Sequence, residues 1–87
     1  MPSYHFNIEG GELGEDREGT DLRDLATAKC EAAKLLGRVL CDSADTFWDR
    51  QELSVIVTDE TKLVLFTLNL FATEAPATLR IYPMVSA

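Results

Sequence analysis

The chain has 87 residues, of which 15 are acidic and 8 are Lys or Arg, so its formal net charge is −7. This length allows one domain with a thin core, and the hydrophobic fraction of 46% argues against intrinsic disorder. The negative charge repels phosphate backbones, which argues against direct binding to nucleic acid and favours basic protein partners.

Several features of the sequence indicate a cytoplasmic protein. No run approaches the roughly 20 apolar residues of a membrane helix, and residues 1–5 lack the basic start and apolar stretch of a signal peptide. Cys30 and Cys41 fall on one predicted helix about 16 Å apart, which is too far for an intrachain disulfide. We therefore expect two free thiols in a reducing compartment.

The N-terminal segment has the pattern of a half-buried strand. Tyr4, Phe6 and Ile8 alternate with polar residues, which is the period of two that a strand requires. The pair Gly10-Gly11 is typical of a tight hairpin turn, so a short second strand is expected over residues 12–15. A charged turn ending in glycine then precedes a change to helical spacing.

The next segment predicts an amphipathic helix. Its apolar residues recur at spacings of three and four: Leu25, Ala28, Ala32, Leu35, Leu36, Val39 and Leu40. Asp24 is the preferred N-cap because its carboxylate can accept from amides of the first turn, and Asp21 is the alternative. Residues 42–45 end the helix or begin a second short turn that carries Phe47 and Trp48.

Two β-rich runs follow, at residues 53–58 and 63–71, and the polar residues 59–62 between them predict a hairpin. In the second run one alternating set is entirely apolar and is expected to face the helix: Val64, Phe66, Leu68 and Leu70. Leu63 and Leu65 fall in the opposite set, which makes that face more apolar than a solvated sheet face needs to be.

These elements predict an α+β fold in which one helix packs on a three- or four-stranded antiparallel sheet, in the order β(β)αββ. Residues 1–75 form the single domain in this interpretation, and residues 76–87 form a C-terminal apolar tail or arm. The strand order within the sheet does not follow from the sequence.

Three segments carry a family resemblance: residues 1–6 (MPSYHF), 16–28 (DREGTDLRDLATA) and 57–60 (VTDE). In this order and spacing they resemble a family of small bacterial proteins of unknown function, the DUF6894 type, over about residues 1–71. The resemblance implies the same layout of elements and a bacterial setting, and it brings no active residue with it. The chain departs from the family pattern at Arg23, where proline is common, and at Thr61-Lys62, where the hairpin often has a glycine.

Candidate sites in the sequence are few. Four carboxylates surround one glycine and are weak candidates for a metal site: Glu15, Asp16, Glu18 and Asp21. Their spacing is not that of a calcium loop, and a solvated turn with helix capping explains them equally well. His5 has no nucleophile spaced to partner it, so we expect neither an enzyme nor a cofactor. The candidates for partner binding are apolar residues: Phe47, Trp48, Leu79, Ile81, Tyr82 and Met84.

The function that these features favour is a non-enzymatic binding or assembly module that acts as a homodimer. Its contact surface would be an exposed strand edge, the apolar side of Leu63 and Leu65, or the C-terminal arm. One alternative is an antitoxin-like or regulatory protein that binds a basic protein partner, and another is a domain that binds a metal or small ligand through residues 15–21.

Overall fold

The computed structural model describes residues 2–10 and 14–75. In chain order the elements are β1 (Ser3–Glu9), β2 (Thr20–Asp21), α1 (Leu25–Asp42), α2 (Ala44–Arg50), β3 (Glu52–Thr58) and β4 (Val64–Phe71). The strands form one antiparallel sheet of four in the order β2-β1-β3-β4, and α1 packs against it. The predicted α+β fold is therefore confirmed, with α2 as a second helix.

The core of the molecule is centred on β3, which lies between β1 and β4. Leu53, Val55 and Val57 are its largest fully buried side chains. They alternate along the strand and so project from the same face of the sheet. On β1, Ile8 lies opposite Val55 and Phe6 lies opposite Val57, which continues the apolar layer toward the N-terminus.

Helix α1 begins at the predicted cap. The Asp24 carboxylate accepts from the Thr27 amide at 2.9 Å and from the Thr27 hydroxyl at 2.7 Å, so the preferred N-cap is confirmed. Ala28, Ala32 and Val39 are the buried residues of the helix. Because the alanines are small, the helix axis can approach the sheet closely without creating voids.

Helix α2 follows immediately and places its two aromatic residues differently. Phe47 is buried with 8% of its surface exposed, whereas Trp48 is 53% exposed. The rings meet edge to face with centroids 5.5 Å apart. Gln51 ends the helix in the left-handed conformation, and its amide donates to the Phe47 carbonyl.

The expected strand at residues 12–15 is wrong for the part that the structure describes. Gly14 and Glu15 lie in no strand, and residues 11–13 lie outside the described residues. The second strand is instead Thr20–Asp21, which pairs with Tyr4 and Ser3 of β1. Residues 12–15 have no alternating apolar side chains to hold a strand against the core. Of the described part, the Gly14 carbonyl bonds to β1 by accepting from the Ile8 amide.

Strand β4 contains an irregularity that alternation alone does not predict. Val57 pairs with Phe66 but Thr58 pairs with Val64, so Leu65 is an extra residue in a β-bulge. Val64 therefore shares the face of Thr58 and is exposed, while Leu65 packs against the core, which reverses the expectation for both residues. The rest of the predicted apolar face packs against the core as expected: Phe66, Leu68 and Leu70.

Among the described residues, no helix is long and apolar enough to cross a membrane. Cys30 and Cys41 are free thiols, as the sequence predicted, and the structure places both on the surface. The predicted tail at residues 76–87, with Leu79, Ile81, Tyr82 and Met84, lies outside the described residues.

Candidate functional site

The acidic loop is organised around the side chain of Asp16. Its carboxylate accepts from three backbone amides, those of Phe6 at 3.1 Å, Gly19 at 3.1 Å and Glu18 at 3.3 Å. Partial burial raises the pKa of Asp16, but these three bonds and the nearby His5 outweigh it, so the pKa lies below its ordinary value. At Phe6, where β2 no longer runs beside β1, the Asp16 carboxylate takes the place of the carbonyl that a neighbouring strand would provide.

The main chain of Asp16 is attached to β1 as well. Its amide donates to the Asn7 side-chain oxygen at 2.9 Å, and its carbonyl accepts from His5 Nδ1, also at 2.9 Å. A carbonyl only accepts, so this contact places a proton on Nδ1 of His5. Asn7 in turn donates to the Ile56 carbonyl on β3, which links the loop to the centre of the sheet.

Gly19 completes this turn for a steric reason. Its φ is +77°, and a Cβ added there would lie 2.8 Å from the Ser3 hydroxyl and 2.9 Å from His5 Nε2. Only glycine combines this backbone conformation with such close neighbours. Asp16 and Gly19, three positions apart, are therefore the two residues that determine the conformation of this turn.

The structure does not bring the remaining acids of the loop together around Asp16. Glu15 and Glu18 are exposed, and Asp21 lies on β2 and is also exposed. Glu15 approaches Lys62 at 4.0 Å. Within residues 2–10 and 14–75, no group of three or more His, Cys, Asp or Glu side chains is arranged to hold a metal ion. Metal binding by this loop remains a prediction from the sequence.

An open polar recess of about 580 Å³ lies beside the loop, between β1 and the β3–β4 hairpin. His5 lines it, and so do charges of both signs: Arg17 from the acidic loop, and Asp59, Glu60 and Lys62 from the hairpin. None of the described lining residues is a serine or cysteine. A serine hydroxyl does lie near the histidine outside this lining, since a Cβ on Gly19 would be 2.8 Å from Ser3 Oγ and 2.9 Å from His5 Nε2.

The most exposed apolar surface lies at the outer edge of the sheet. Strand β4 pairs only with β3 within residues 2–10 and 14–75, so no strand among these residues covers its other side, the open edge. The exposed large apolar residues include Leu63, Val64 and Phe71, with 61%, 55% and 65% of their surfaces accessible. The segment from Leu63 to Ala72 contains no charged residue and no proline. Two usual protections of an edge strand against pairing, charged side chains and proline, are therefore absent from this segment, and the bulge at Leu65 is confined to its hairpin end.

The register of the β3–β4 pair shows which backbone groups face this open side. The Ala72 amide donates to the Gln51 carbonyl at 3.0 Å, so Ala72 directs its backbone toward β3. Residues of an antiparallel strand alternate in this respect. Thr67, Asn69 and Phe71 therefore present their N–H and C=O groups to the open edge, and the sequence reasoning did not identify them.

The family assignment rests on a match that spans most of this fold. Residues 3–72 match the family described as a domain of unknown function, DUF6894. The chain belongs to the DUF6894 family. Searches of curated proteins and of solved structures found no match. The matched region runs from the start of β1 to the residue after β4, so it contains every described strand and helix.

The structure also explains one departure from the DUF6894 pattern. Lys62, in the hairpin where members often have a glycine, has a φ of +72°. This left-handed conformation favours glycine, since a side chain there contacts its own backbone. The turn is held by the Asp59 carboxylate, which accepts from the amides of Thr61 and Leu63 and from the Thr61 hydroxyl.

Proposed function

We propose that this DUF6894 chain is a non-enzymatic assembly module that forms a homodimer through the open edge of β4. The proposal rests on one observation about that edge. The strand Val64–Phe71 is uncharged and largely apolar, and a row of its backbone N–H and C=O groups points away from β3. A second copy of the same strand supplies both the missing hydrogen-bond partners and an apolar surface.

The distribution of charge supports a second copy as the partner. Each copy has a net charge of −7, which repels another copy at long range. The β4 segment is neutral, whereas β1, β2 and β3 contain Glu9, Asp21 and Glu52 respectively. The β4 edge is therefore the strand along which two copies can approach with the least electrostatic opposition.

Burial of apolar surface supports the same interface. The largest fully buried side chains are only Leu53, Val55 and Val57, so the described core is thin. Removing one large apolar side chain from water stabilises a protein by roughly 1.5–3 kcal/mol, and association must also offset several kcal/mol of lost freedom. Phe71 and Val64, exposed on both copies, provide apolar surface that an interface can bury.

Sedimentation velocity with a matched pair of variants tests the proposal. Thr67→Lys places a charge on the β4 edge, and Thr20→Lys places the same charge on β2 at the opposite edge; both residues are exposed. We expect the wild type and Thr20→Lys to sediment as dimers and Thr67→Lys as a monomer. A wild type that remains monomeric at high concentration would contradict the proposal.

Thr67→Pro gives a second test that leaves the rest of the sheet intact. The Thr67 amide faces away from β3, so proline there removes a donor only from the open edge. We expect a folded monomer with an unchanged circular dichroism spectrum. A Thr67→Pro dimer as tight as the wild type would mean that another surface holds the two copies together.

The two alternative functions have separate tests. Calorimetric titration with calcium, magnesium and manganese checks the acidic loop, and an absence of heat at all three would remove that alternative. A basic partner is favoured by the net charge of −7 alone. Its test is co-purification with a small basic protein encoded beside this chain, compared in low and high salt because screening weakens such a complex.

A further inference from the structure

We infer that the homodimer pairs β4 with β4 of the second copy in one register, with the two-fold axis at Asn69. This inference rests on the proposed function and adds the residues that meet across the axis. It starts from the three outward-facing residues of the bulge-free part of the strand: Thr67, Asn69 and Phe71. The bulge at Leu65 interrupts this series on the hairpin side.

Counting backbone bonds selects the register. With Asn69 opposite Asn69 of the second copy, Thr67 lies opposite Phe71, and every outward residue has a hydrogen-bonded partner. Three N–H donors from each copy are then paired, six in all. Moving the axis to Leu68 or Thr67 brings the bulged residue Leu65 into the ladder and leaves fewer regular pairs. Moving it to Leu70 places Thr67 opposite Thr73, which lies beyond the end of β4, and leaves four paired donors within the strand.

Side chains on the open face of the sheet fit this register. The Asn69 side-chain oxygen accepts from the Ser54 hydroxyl at 2.7 Å, so its NH₂ group, at the other end of the amide, is left for a partner across the axis. The two Asn69 amides can therefore bond to one another. On either side, Phe71 lies over Thr67 of the second copy, an aromatic–β-branched pair that stabilises antiparallel sheets.

Side chains on the helix face fit it equally well. Leu68 lies opposite Leu70 of the second copy, and both are half-buried at the margin of the core. Phe66 lies opposite Ala72, so the largest side chain of the row meets the smallest. Each copy contributes four strands, and the result is a continuous antiparallel sheet with both α1 helices on one side.

Disulfide trapping tests the register at exposed positions, in a background where Cys30 and Cys41, both exposed, are replaced by serine. Asn69→Cys is expected to form a covalent dimer on mild oxidation, because hydrogen-bonded pairs have Cα atoms about 5.5 Å apart. In a dimer of Thr67→Cys alone, or of Phe71→Cys alone, the two equivalent cysteines lie four residues apart along the paired strands, about 13 Å. Neither variant should form a disulfide by itself. A mixture of the Thr67→Cys and Phe71→Cys chains should link.

The outcomes separate this inference from the proposed function. Linking at Asn69 should exceed linking at Thr20→Cys, on the opposite edge, by about tenfold or more. A wild-type dimer in sedimentation with no link at Asn69→Cys and none in the mixture overturns the register and leaves the dimer standing. Linking of Thr67→Cys to itself also overturns the register. A wild type that stays monomeric overturns both proposals.

Discussion

Three aspartates hold the loops of this fold by accepting backbone amides. Asp24 accepts from the Thr27 hydroxyl and amide, and Asp59 accepts from the hydroxyl and amide of Thr61 and from the amide of Leu63. Asp16, which is partly buried, binds three amides. In each case the bonds favour the charged carboxylate and hold its pKa below the ordinary value of 3.8.

These lowered pKa values predict a loss of stability in acid. The folded state binds protons less readily than the unfolded chain, so the contribution of each carboxylate is complete above pH 3.8. It is lost as the pH falls below that value toward the folded pKa. Urea unfolding of the wild type should therefore show a decline in the free energy of unfolding as the pH falls from about 4 to about 2. A flat profile through that range would contradict the role of the three carboxylates.

Asp16→Asn isolates the central carboxylate. The substitution removes the charge and leaves at least one of three amides without an acceptor, so the free energy of unfolding should fall by about 1–3 kcal/mol at neutral pH. The difference from the wild type should shrink in acid, where Asp16 itself is protonated. Glu18→Gln is the control, since Glu18 is exposed and its side chain accepts none of these bonds.

We expect Lys62→Gly to raise the free energy of unfolding, whereas Asp16→Asn lowers it. Glycine removes the steric cost of the left-handed backbone at φ +72°, so the free energy of unfolding should rise by up to about 1 kcal/mol. Lys62→Val should lower it, because a β-branched side chain fits that conformation worst. Thermal unfolding of the two variants measures both effects, and equal melting temperatures would refute the explanation.

At the scale of elements, α2 shows how one short helix divides its side chains between core and solvent. It has seven residues, too few to be stable alone, so it depends on its contacts with the sheet. Phe47 supplies those contacts as a member of the buried core. Trp48, its immediate neighbour, packs edge to face on Phe47 and is otherwise exposed.

Alanine substitutions in α2 should therefore differ sharply in cost. Phe47→Ala leaves a cavity in the core and should lower the free energy of unfolding by about 3–5 kcal/mol. Trp48→Ala should cost about 1 kcal/mol or less, since it removes mainly one aromatic contact. Urea denaturation followed by circular dichroism measures both variants without relying on the tryptophan. A costlier Trp48→Ala would show that Trp48, not Phe47, anchors the helix.

At the scale of the molecule, residues 2–10 and 14–75 form one helical layer and one sheet, in which β4 is an edge strand. Few large side chains are fully buried, so the described fold depends on a small apolar core. A second copy on the β4 edge would cover apolar side chains that now border solvent, above all Phe71. Stability and assembly are then linked through protein concentration.

Concentration and salt test this linkage. Over about a hundredfold range of protein concentration, the melting temperature should rise, because dimerisation stabilises only the folded state. The dimer should also tighten as salt increases from about 0.02 M to about 0.5 M, since two copies of net charge −7 repel one another. Thr67→Lys should show no dependence on concentration, and the same dependence in both proteins would contradict the β4 interface.

The sequence by itself predicted the elements whose signals are local in the chain. The alternation of β1, the stripe of α1, the Asp24 cap and the β3–β4 hairpin were all confirmed. The signal for each of these is a pattern of residues that lie close together in the chain, even where the element itself, such as β1, pairs with a distant strand. The family resemblance was also confirmed, by the match of residues 3–72 to the family model.

Only the tertiary structure decided the features that join distant residues. It placed β2 at Thr20–Asp21, it gave Asp16 its amide partners on β1, and it introduced the bulge at Leu65. Strand order also left β4 at the sheet edge, which made Thr67 and Asn69 candidates for assembly. The physical reason is that pairing between strands depends on register across the sheet, and a single strand's own pattern of side chains does not specify its neighbour.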